Sequence, residues 1–239
     1  MVKMVRDNTG RFAQRPYYTA AELDRECEHI VSAFLTARHG QFRLPVTTDE
    51  LSILIEQHDA SLDSSVDLSD YGQDVEGMTA FYPDRNPEVS ISDRLANDPR
   101  RENRLRTTLA HEFGHVRYHR HLWAEKFMTG RLFDRRSTEN KVICKRDSIL
   151  DAKDTDWMEW QAGYVSGAIL MPVGPIRRFV SDFCGNRGLH AAVALASEPG
   201  QQIVNDVMAR FSVSEDAARV RLLKLGLLIT SNQQPSLFG

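Results

Sequence analysis

The stretch His111-Glu112-Phe113-Gly114-His115 reads H-E-x-x-H and lies inside a segment with helical periodicity. The two histidines are four residues apart, so both side chains project from the same side of a helix, one turn apart. Two imidazoles in that arrangement can bind one zinc ion, and Glu112 would lie beside it, where a carboxylate can accept a proton from zinc-bound water. The motif therefore predicts a zinc site, although so short a pattern also occurs by chance on surface helices.

The helix around the motif has a recognisable start and one apolar face. Asp98 can cap it, and Pro99 suits its first position. Apolar residues then recur at spacings of four, four and three, which predicts a buried face. They are Leu105, Leu109, Phe113 and Val116. We predict this helix from about Pro99 to His121.

A catalytic zinc usually has three protein ligands and one open position, so the motif needs a third ligand. Residues 156–172 predict a second helix, ending near Met171 because a residue before proline avoids the helical region. Glu159 lies in its first turn and starts a stripe of mostly small residues that allows two helices to approach closely. The stripe continues through Ala162, Gly163, Ser166, Gly167 and Leu170. We expect Glu159 to be the third ligand; the alternative is an acid that only favours the helix dipole.

Three other residues could take part. The spacing of His121 fits the pattern H-E-x-x-H-x-x-G-x-x-H, but Tyr118 stands where that pattern needs glycine for a turn with positive φ. Cys144 could occupy the open zinc position as a thiolate and keep the protein latent, or be an ordinary cysteine. His119 either lines the site or is a polar residue near the helix end.

Two segments resemble the ImmA/IrrE family of metallo-endopeptidases. The run L-A-H-E-F-G-H at residues 109–115, followed by His119, is similar to the family's A-H-E-L-G-H-x-x-x-H helix. The run from Glu159 to Pro172, which ends in I-L-M-P, is similar to its E-x-x-A-x-x-x-A-x-x-L-L-M-P helix. Phe113, Gly163 and the pair Val165-Ser166 depart from the family pattern, and none of these changes removes a ligand.

This resemblance covers roughly residues 40–225 and implies a gluzincin-like minimal metalloprotease. It implies zinc bound by His111, His115 and Glu159, with Glu112 as the general base that passes a proton to the leaving amine. It also implies a protein substrate, often a helix-turn-helix repressor cleaved under stress or on mobile-element induction; an antitoxin is an equal alternative. The oxyanion-stabilising residue stays open among three candidates, which are Tyr118, His119 and Tyr164.

Two other functional classes remain open. One is a helix-turn-helix DNA-binding regulator with a structural zinc, and the other is a non-catalytic interaction module that keeps the same shape. Glu112 argues against both, because neither needs a carboxylate at that position.

Composition places the chain among ordinary globular proteins. It has 239 residues, 41% hydrophobic and 26% charged, and no apolar run near the roughly 18 residues that a membrane span needs. Cys27, Cys144 and Cys184 are too few and too scattered for a disulfide framework. The first residues lack the apolar core of a secretory signal, so we expect a cytoplasmic protein.

Charge is unevenly distributed along the chain. Residues 49–93 hold twelve acids and one base, and residues 94–146 hold fourteen Lys or Arg and six acids. We interpret these segments as two solvated faces that attract each other; a basic rim for an acidic partner is the functional alternative.

The predicted fold is α+β and mostly helical, with a small antiparallel sheet and a helix-turn-helix-like C-terminal unit. We divide it into a flexible N-terminus at 1–16, a metalloprotease domain at 17–185, a helical unit packed on it at 186–228, and a flexible tail at 229–239. Helices are predicted over 20–37, from a cap at Thr48 or Asp49, and from Gly174 to Phe183, with a short Ala-rich helix after the glycines at 185 and 188.

Strands are predicted over 77–82 and 88–92 around a turn at 83–87, and residues 60–76 as a loop or weak strand. We expect the strand at 88–92 to be an edge that pairs with an extended substrate. Residues 126–155 predict a long irregular segment.

The C-terminal unit is predicted as helix, tight turn and helix, with Ser214 as the second cap. Glu215 and Asp216 open the second helix, where phosphates would repel them, although Arg219, Arg221 and Lys224 oppose that effect. We therefore expect a structural or partner-docking role rather than DNA binding.

Overall fold

The computed structural model describes residues 2–130, 141–145, 156–189 and 191–230. The chain forms two compact units, one of Met1–Leu23 with Val46–Ser166 and one of Asp24–Pro45 with Gly167–Gly239. This division differs from the predicted boundary at 186, because residues 24–45 and 167–185 group with the C-terminal helices. Contacts such as Gly174 N to Glu28 Oε2, 2.7 Å, join these segments within the second unit.

The fold is α+β and mostly helical, as predicted. The strands are β1 (Lys3–Arg6), β2 (Gln14–Tyr17), β3 (Ser61–Val66), β4 (Val75–Ala80), β5 (Glu88–Ser92) and β6 (Lys141–Lys145). The helices are α1 (Ala20–His39), α2 (Thr48–Gln57), α3 (Asp93–Ala96), α4 (Glu102–Gly130), α5 (Trp157–Leu170), α6 (Val173–Asn186), α7 (Glu198–Phe211) and α8 (Glu215–Lys224). In the part of the chain that is described, none of the helices has the length and apolarity needed to cross a membrane.

The first sixteen residues contain regular structure, where the sequence predicted flexibility. β1 pairs antiparallel with β2, with Lys3 opposite Tyr17. Asp7 fixes the connection between them by accepting hydrogen bonds from the Phe12 N–H at 2.9 Å and from the indole N–H of Trp157 at 3.0 Å. The Trp157 contact joins positions 150 residues apart, so local sequence gave no sign of it.

A four-stranded sheet has the order β3-β5-β4-β6. The predicted strand pair is confirmed, because β4 and β5 are antiparallel around the turn at 83–87. The prediction that β5 is an edge strand is wrong, because β3, which the sequence left as a loop or weak strand, pairs with it in parallel. In the described chain the edges of this sheet are β3 and β6.

The helix around H-E-x-x-H is longer than predicted. A 3₁₀ turn at Pro99–Arg101, capped by the side chain of Asp98, leads into α4, which continues past His121 to Gly130. The predicted apolar face is buried: Leu105, Leu109, Phe113 and Val116. Because the chain does not turn at Tyr118, the pattern that would recruit His121 as a ligand is not formed.

The acidic and basic segments pair directly in the first unit. Glu76, 5% exposed, accepts hydrogen bonds from the guanidinium groups of Arg101, in the 3₁₀ turn, and Arg104, in the first turn of α4. Further along α4, Arg120 lies 3.1 Å from the carboxylate of Asp59. These contacts agree with the interpretation of two mutually attracting charged faces.

Two helix caps refine the predicted boundaries. In α2 the cap is Thr47 rather than Thr48 or Asp49, and it forms a reciprocal capping box with Glu50. In α8 the cap is Ser214, as predicted, with its hydroxyl accepting from the Ala217 N–H. α7 and α8 thus form the expected helix, tight turn and helix, with Ser212 in the left-handed region at φ 50°.

The predicted Ala-rich helix after Gly188 is not formed by the described residues 191–197. Ala194 instead makes an isolated parallel bridge with Ile229. The Leu195 N–H donates to the Ile229 carbonyl at 2.8 Å, and the Ile229 N–H donates to the Val193 carbonyl at 3.0 Å. Pairing with a remote segment has therefore overridden the helix propensity of this stretch.

Candidate metal centre

Helix α4 and the part of α5 that belongs to the first unit bring three ligand-type side chains together. His111 and His115 extend from α4, and Glu159 extends from the first turn of α5. The Nε2 atoms of the histidines are 3.0 Å apart, and the Glu159 carboxylate oxygens lie 3.2 Å from His111 Nε2 and 3.3 Å from His115 Nε2. Both histidines are fully buried and the Glu159 side chain is 12% exposed. This buried group can hold a metal ion.

The arrangement of these donors fits a small cation. Ligands about 2.0 Å from a tetrahedral metal lie about 3.3 Å from each other, close to the three separations found here. Two unprotonated Nε2 atoms at 3.0 Å repel each other unless a proton or a cation lies between them. The carboxylate adds one negative charge in a buried place, which a cation would balance.

Close approach of α4 and α5 is what lets Glu159 reach the histidines. A Cβ added at Gly114 would lie 3.0 Å from the Cα of Ala162 and 3.3 Å from its Cβ. Further along the helices, the Ser166 hydroxyl donates to the Thr107 carbonyl at 3.0 Å. The predicted stripe of small residues therefore does face α4 at Ala162 and Ser166.

Glu112 lies on the neighbouring side of α4, under strand β4. Its Oε2 accepts a 2.5 Å hydrogen bond from the Thr79 hydroxyl. Its Oε1 is buried and has no hydrogen-bond partner among the described residues. A Cβ at Gly77 would lie 2.6 Å from that Oε1, so β4 can rest on Glu112 only because Gly77 has no side chain. One oxygen is thus fixed, and the other is free to accept a proton.

Burial dominates the electrostatics of Glu112. Desolvation raises the pKa of its carboxyl, and the neighbouring histidines and the Thr79 hydroxyl only partly offset this. A carboxyl with a raised pKa takes up a proton more readily at neutral pH than an exposed glutamate does.

The pKa of Glu159 is shifted in the opposite direction, downward. Desolvation alone would raise the pKa of its carboxyl, but the charge of His115 and hydrogen bonds from both histidines outweigh it, so the pKa lies well below its ordinary value. The carboxyl is therefore ionised, which is the form that binds a cation.

A second layer of side chains orients His115. Its Nδ1 lies 2.9 Å from His119 Nδ1, and His119 Nε2 lies 2.8 Å from the Gln161 side-chain oxygen. Because that oxygen only accepts, His119 carries its proton on Nε2 and accepts on Nδ1. His115 then donates from Nδ1, so its Nε2 can turn a lone pair toward a cation once the proton that Nε2 shares with Glu159 is displaced. Desolvation also holds the pKa of His119 well below its ordinary value, so His119 stays neutral.

The remaining candidates fall outside this group. His121 is exposed. The backbone of Cys144 lies in β6 opposite Gly77, but its side chain lies outside the described part, so its role as a latch stays a prediction. Of the oxyanion candidates, Tyr118 is 1% and Tyr164 4% exposed, and His119 lies behind His115.

Sequence reasoning missed two residues of the site. Thr79 comes from a strand 33 positions before Glu112, and nothing in the local sequence linked them. Gln161 follows Glu159 by two positions, but its contact with His119 depends on the packing of the two helices.

Compared with protein-family models and with curated proteins, the chain matches none. The functional interpretation therefore depends on the arrangement of these side chains. The class that the arrangement defines is a protein with a buried His-His-Glu group that can hold a metal ion and an adjacent buried carboxylate.

Proposed function

We propose that this chain is a zinc-dependent endopeptidase of the ImmA/IrrE type. The observation that carries the proposal is the convergence of His111, His115 and Glu159 within about 3 Å of one another, with Glu112 buried beside them. A structural zinc site needs only the three ligands, and a buried carboxylate with an unpartnered oxygen beside them would serve no purpose. A hydrolytic site needs the ligands to hold the metal and the carboxylate to accept a proton.

Two nitrogens and one carboxylate oxygen are the donor set of many catalytic zinc sites, which keep a fourth position open. His111, His115 and Glu159 would hold the ion. When bound, zinc supplies a Lewis acid that acidifies water and polarises a carbonyl.

The residues around the donors have separate tasks in this proposal. Glu112 Oε1 accepts a proton and later returns it to the leaving amine. Thr79 holds Glu112 Oε2, so that the carboxylate cannot rotate away. His119 and Gln161 keep His115 in the tautomer that presents Nε2 to the metal.

We infer a protein substrate, a transcriptional repressor or an antitoxin. The support is the resemblance of residues 109–115 and 159–172 to that family. Direct DNA binding by α7 and α8 is less favoured, because Glu215 and Asp216 occupy the first turn of α8 and Glu215 pairs with Arg219 at 3.0 Å. A DNA-binding regulator with a structural zinc would instead bind DNA in a salt-dependent manner, and Glu112→Gln would not affect it.

The test measures zinc per chain and cleavage in matched variants. Wild type is expected to carry about one zinc and Glu159→Ala to lose it. Glu112→Gln should keep its zinc and lose cleavage, and Glu125→Gln, an exposed site on the same helix, should behave like wild type. Cleavage is scored by mass spectrometry, as new N-termini in helix-turn-helix repressors and antitoxins incubated with each variant. Full zinc in Glu159→Ala would show that the third ligand is wrong.

A further inference from the structure

Strand β4 lies directly over the general-base candidate. Its Thr79 holds Glu112, and its Gly77 lies against the free carboxylate oxygen. One edge of β4 pairs with β5, and the other pairs antiparallel with β6, with Gly77 opposite Cys144 and Thr79 opposite Val142. Without β6, β4 would present a row of unpaired backbone N–H and C=O groups beside the metal centre.

The same strand is anchored next to the third ligand. Val142 is 7% exposed and belongs to an apolar cluster with Trp157 and Met158, which immediately precede Glu159. β6 therefore contacts both parts of the candidate site. Its backbone pairs with β4, which lies over Glu112, and its Val142 packs against the start of α5, which carries Glu159. All of these residues belong to the first unit.

The candidate centre is closed in this arrangement. His111, His115 and Glu112 are fully buried, and only the Glu159 side chain keeps some exposure. An endopeptidase must place an extended protein segment next to its metal, and backbone pairing with a sheet edge is the usual physical way to hold such a segment. The edge of β4 above Glu112 suits that purpose, and β6 already uses its hydrogen-bonding groups.

We propose that β6 is a built-in competitor of the substrate: it pairs with β4 as an extended substrate would, and it must leave β4 before cleavage. This inference rests on the proposed function. It places regulation of the centre in β6, and any factor that favours departure of β6 from β4 activates the protein. The substrate is then a protein segment that can pair antiparallel with β4.

A reversible disulfide between β4 and β6, which we call the lock, tests whether β6 must leave β4. Ala80 and Lys141 are paired positions at the end of the β4–β6 ladder, so Ala80→Cys with Lys141→Cys can form a disulfide that holds β6 in place. The variant also carries Cys144→Ser, so that β6 has a single thiol. Each single-cysteine variant serves as a control, and the reduced double variant controls for folding.

Two probes of the zinc-loaded protein separate the possibilities. Acetohydroxamate needs only the metal, whereas a peptidyl hydroxamate also needs a strand edge. We expect the oxidised lock to bind acetohydroxamate normally and to lose the peptidyl hydroxamate, with recovery on reduction. Equal binding of the peptidyl hydroxamate in both redox forms would overturn the inference. Failure of both probes in every form would instead show that the proposed metal site is wrong.

A substitution that weakens the packing of β6 should have the opposite effect on peptidyl hydroxamate binding. Val142→Asp should weaken the anchor of β6 and tighten peptidyl hydroxamate binding, because the apparent affinity scales with the fraction of molecules in the open form. If β6 covers β4 in about nine molecules of ten, the gain is about tenfold. Leu122→Ala disturbs the same cluster from α4 and should give no such gain. Weaker binding in Val142→Asp would mean that β6 is a permanent part of the substrate site.

Discussion

At the scale of single residues, His119 is a buried polar side chain that contacts a candidate metal ligand, His115. It bridges His115 and Gln161 through its two ring nitrogens, with separations of 2.9 and 2.8 Å. Its neighbour on the same helix, His121, is exposed. The two histidines therefore make a matched pair for measuring the effect of the bridge.

His119→Ala should weaken zinc binding by about 10- to 100-fold, because His115 loses the acceptor that fixes its tautomer. Competition with a chromophoric zinc chelator measures the affinity. His121→Ala should bind zinc as the wild type does. Wild-type affinity in His119→Ala would contradict the role assigned to the bridge.

His58 supplies a pH-dependent contribution to stability. Desolvation lowers the pKa of its imidazole, assisted by the nearby charge of Arg117 and partly offset by the 2.9 Å contact of Nδ1 with the Leu54 carbonyl. The ring also packs edge-on against Phe113, with 4.9 Å between the ring centroids. The folded state therefore prefers neutral His58.

Because the pKa is lower in the folded state, the unfolded chain takes up the proton first as the pH falls. The stabilising contribution is complete above the unfolded pKa of about 6.5 and is lost as the pH falls through the folded pKa. The difference in unfolding free energy between wild type and His58→Gln should shrink below about pH 6.5. Urea unfolding of metal-free protein from pH 5 to 8 measures it, and a constant difference would count against this account.

At the scale of elements, the contact between α4 and α5 sets the geometry of the candidate metal centre. The two backbones approach closely at Gly114 and Ala162. Gly114→Ala should push α5 outward by a few tenths of an ångström and move Glu159 with it. We expect weaker zinc binding and a loss of about 1–3 kcal/mol in unfolding free energy.

Gly185→Ala is the matched control for that substitution. It also lies in a helix, α6, but a Cβ there would meet nothing within 4 Å. It should leave zinc binding unchanged and raise stability by up to about 1 kcal/mol, because alanine loses less entropy on folding. Calorimetry with and without zinc checks both variants. Equal zinc affinities in Gly114→Ala and Gly185→Ala would show that the close approach of α4 and α5 at Gly114 does not determine the position of Glu159.

The sequence predicted those elements whose signals are local. Helical periodicity placed α1, α2, α4, α5 and α6, and the H-E-x-x-H spacing placed two donors on one face of α4. The prediction failed where a remote segment decided the outcome. β5 became an interior strand because β3 pairs with it, and the alanines near residue 194 pair with Ile229. Thr79 and Gln161 joined the site in the same way, through contacts that spacing along the chain does not encode.

At the scale of the whole molecule, each unit has its own buried polar contacts. In the second unit Arg221, 2% exposed, lies 2.7 Å from Asp24 and donates two hydrogen bonds to the Met171 carbonyl. It therefore joins α1, the end of α5 and α8. By sequence, Arg221 is one of the three bases of α8 that oppose the repulsion of phosphates, and the structure places it in the interior.

Arg221→Met should lower the unfolding free energy by about 3–5 kcal/mol, because the buried carboxylate of Asp24 would lose its ion pair with Arg221. Arg219→Met is the control, since Arg219 is 40% exposed and pairs with Glu215 on the same helix. Its effect should be below about 1 kcal/mol. Urea midpoints give both numbers, and similar losses in the two variants would argue against a special role for Arg221.

The placement of the three donors has a topological consequence. His115 and Glu159 are 44 positions apart, so an ion held between them would close a large loop in the covalent chain. In polymer terms it would act as a removable cross-link, whose entropic effect on the unfolded chain grows with the logarithm of loop length. In a chain nicked once between the two helices, the ion would add a link to the packing that already joins α4 and α5. A chelator would remove that added link and lower the stability of the nicked protein more than that of the intact one.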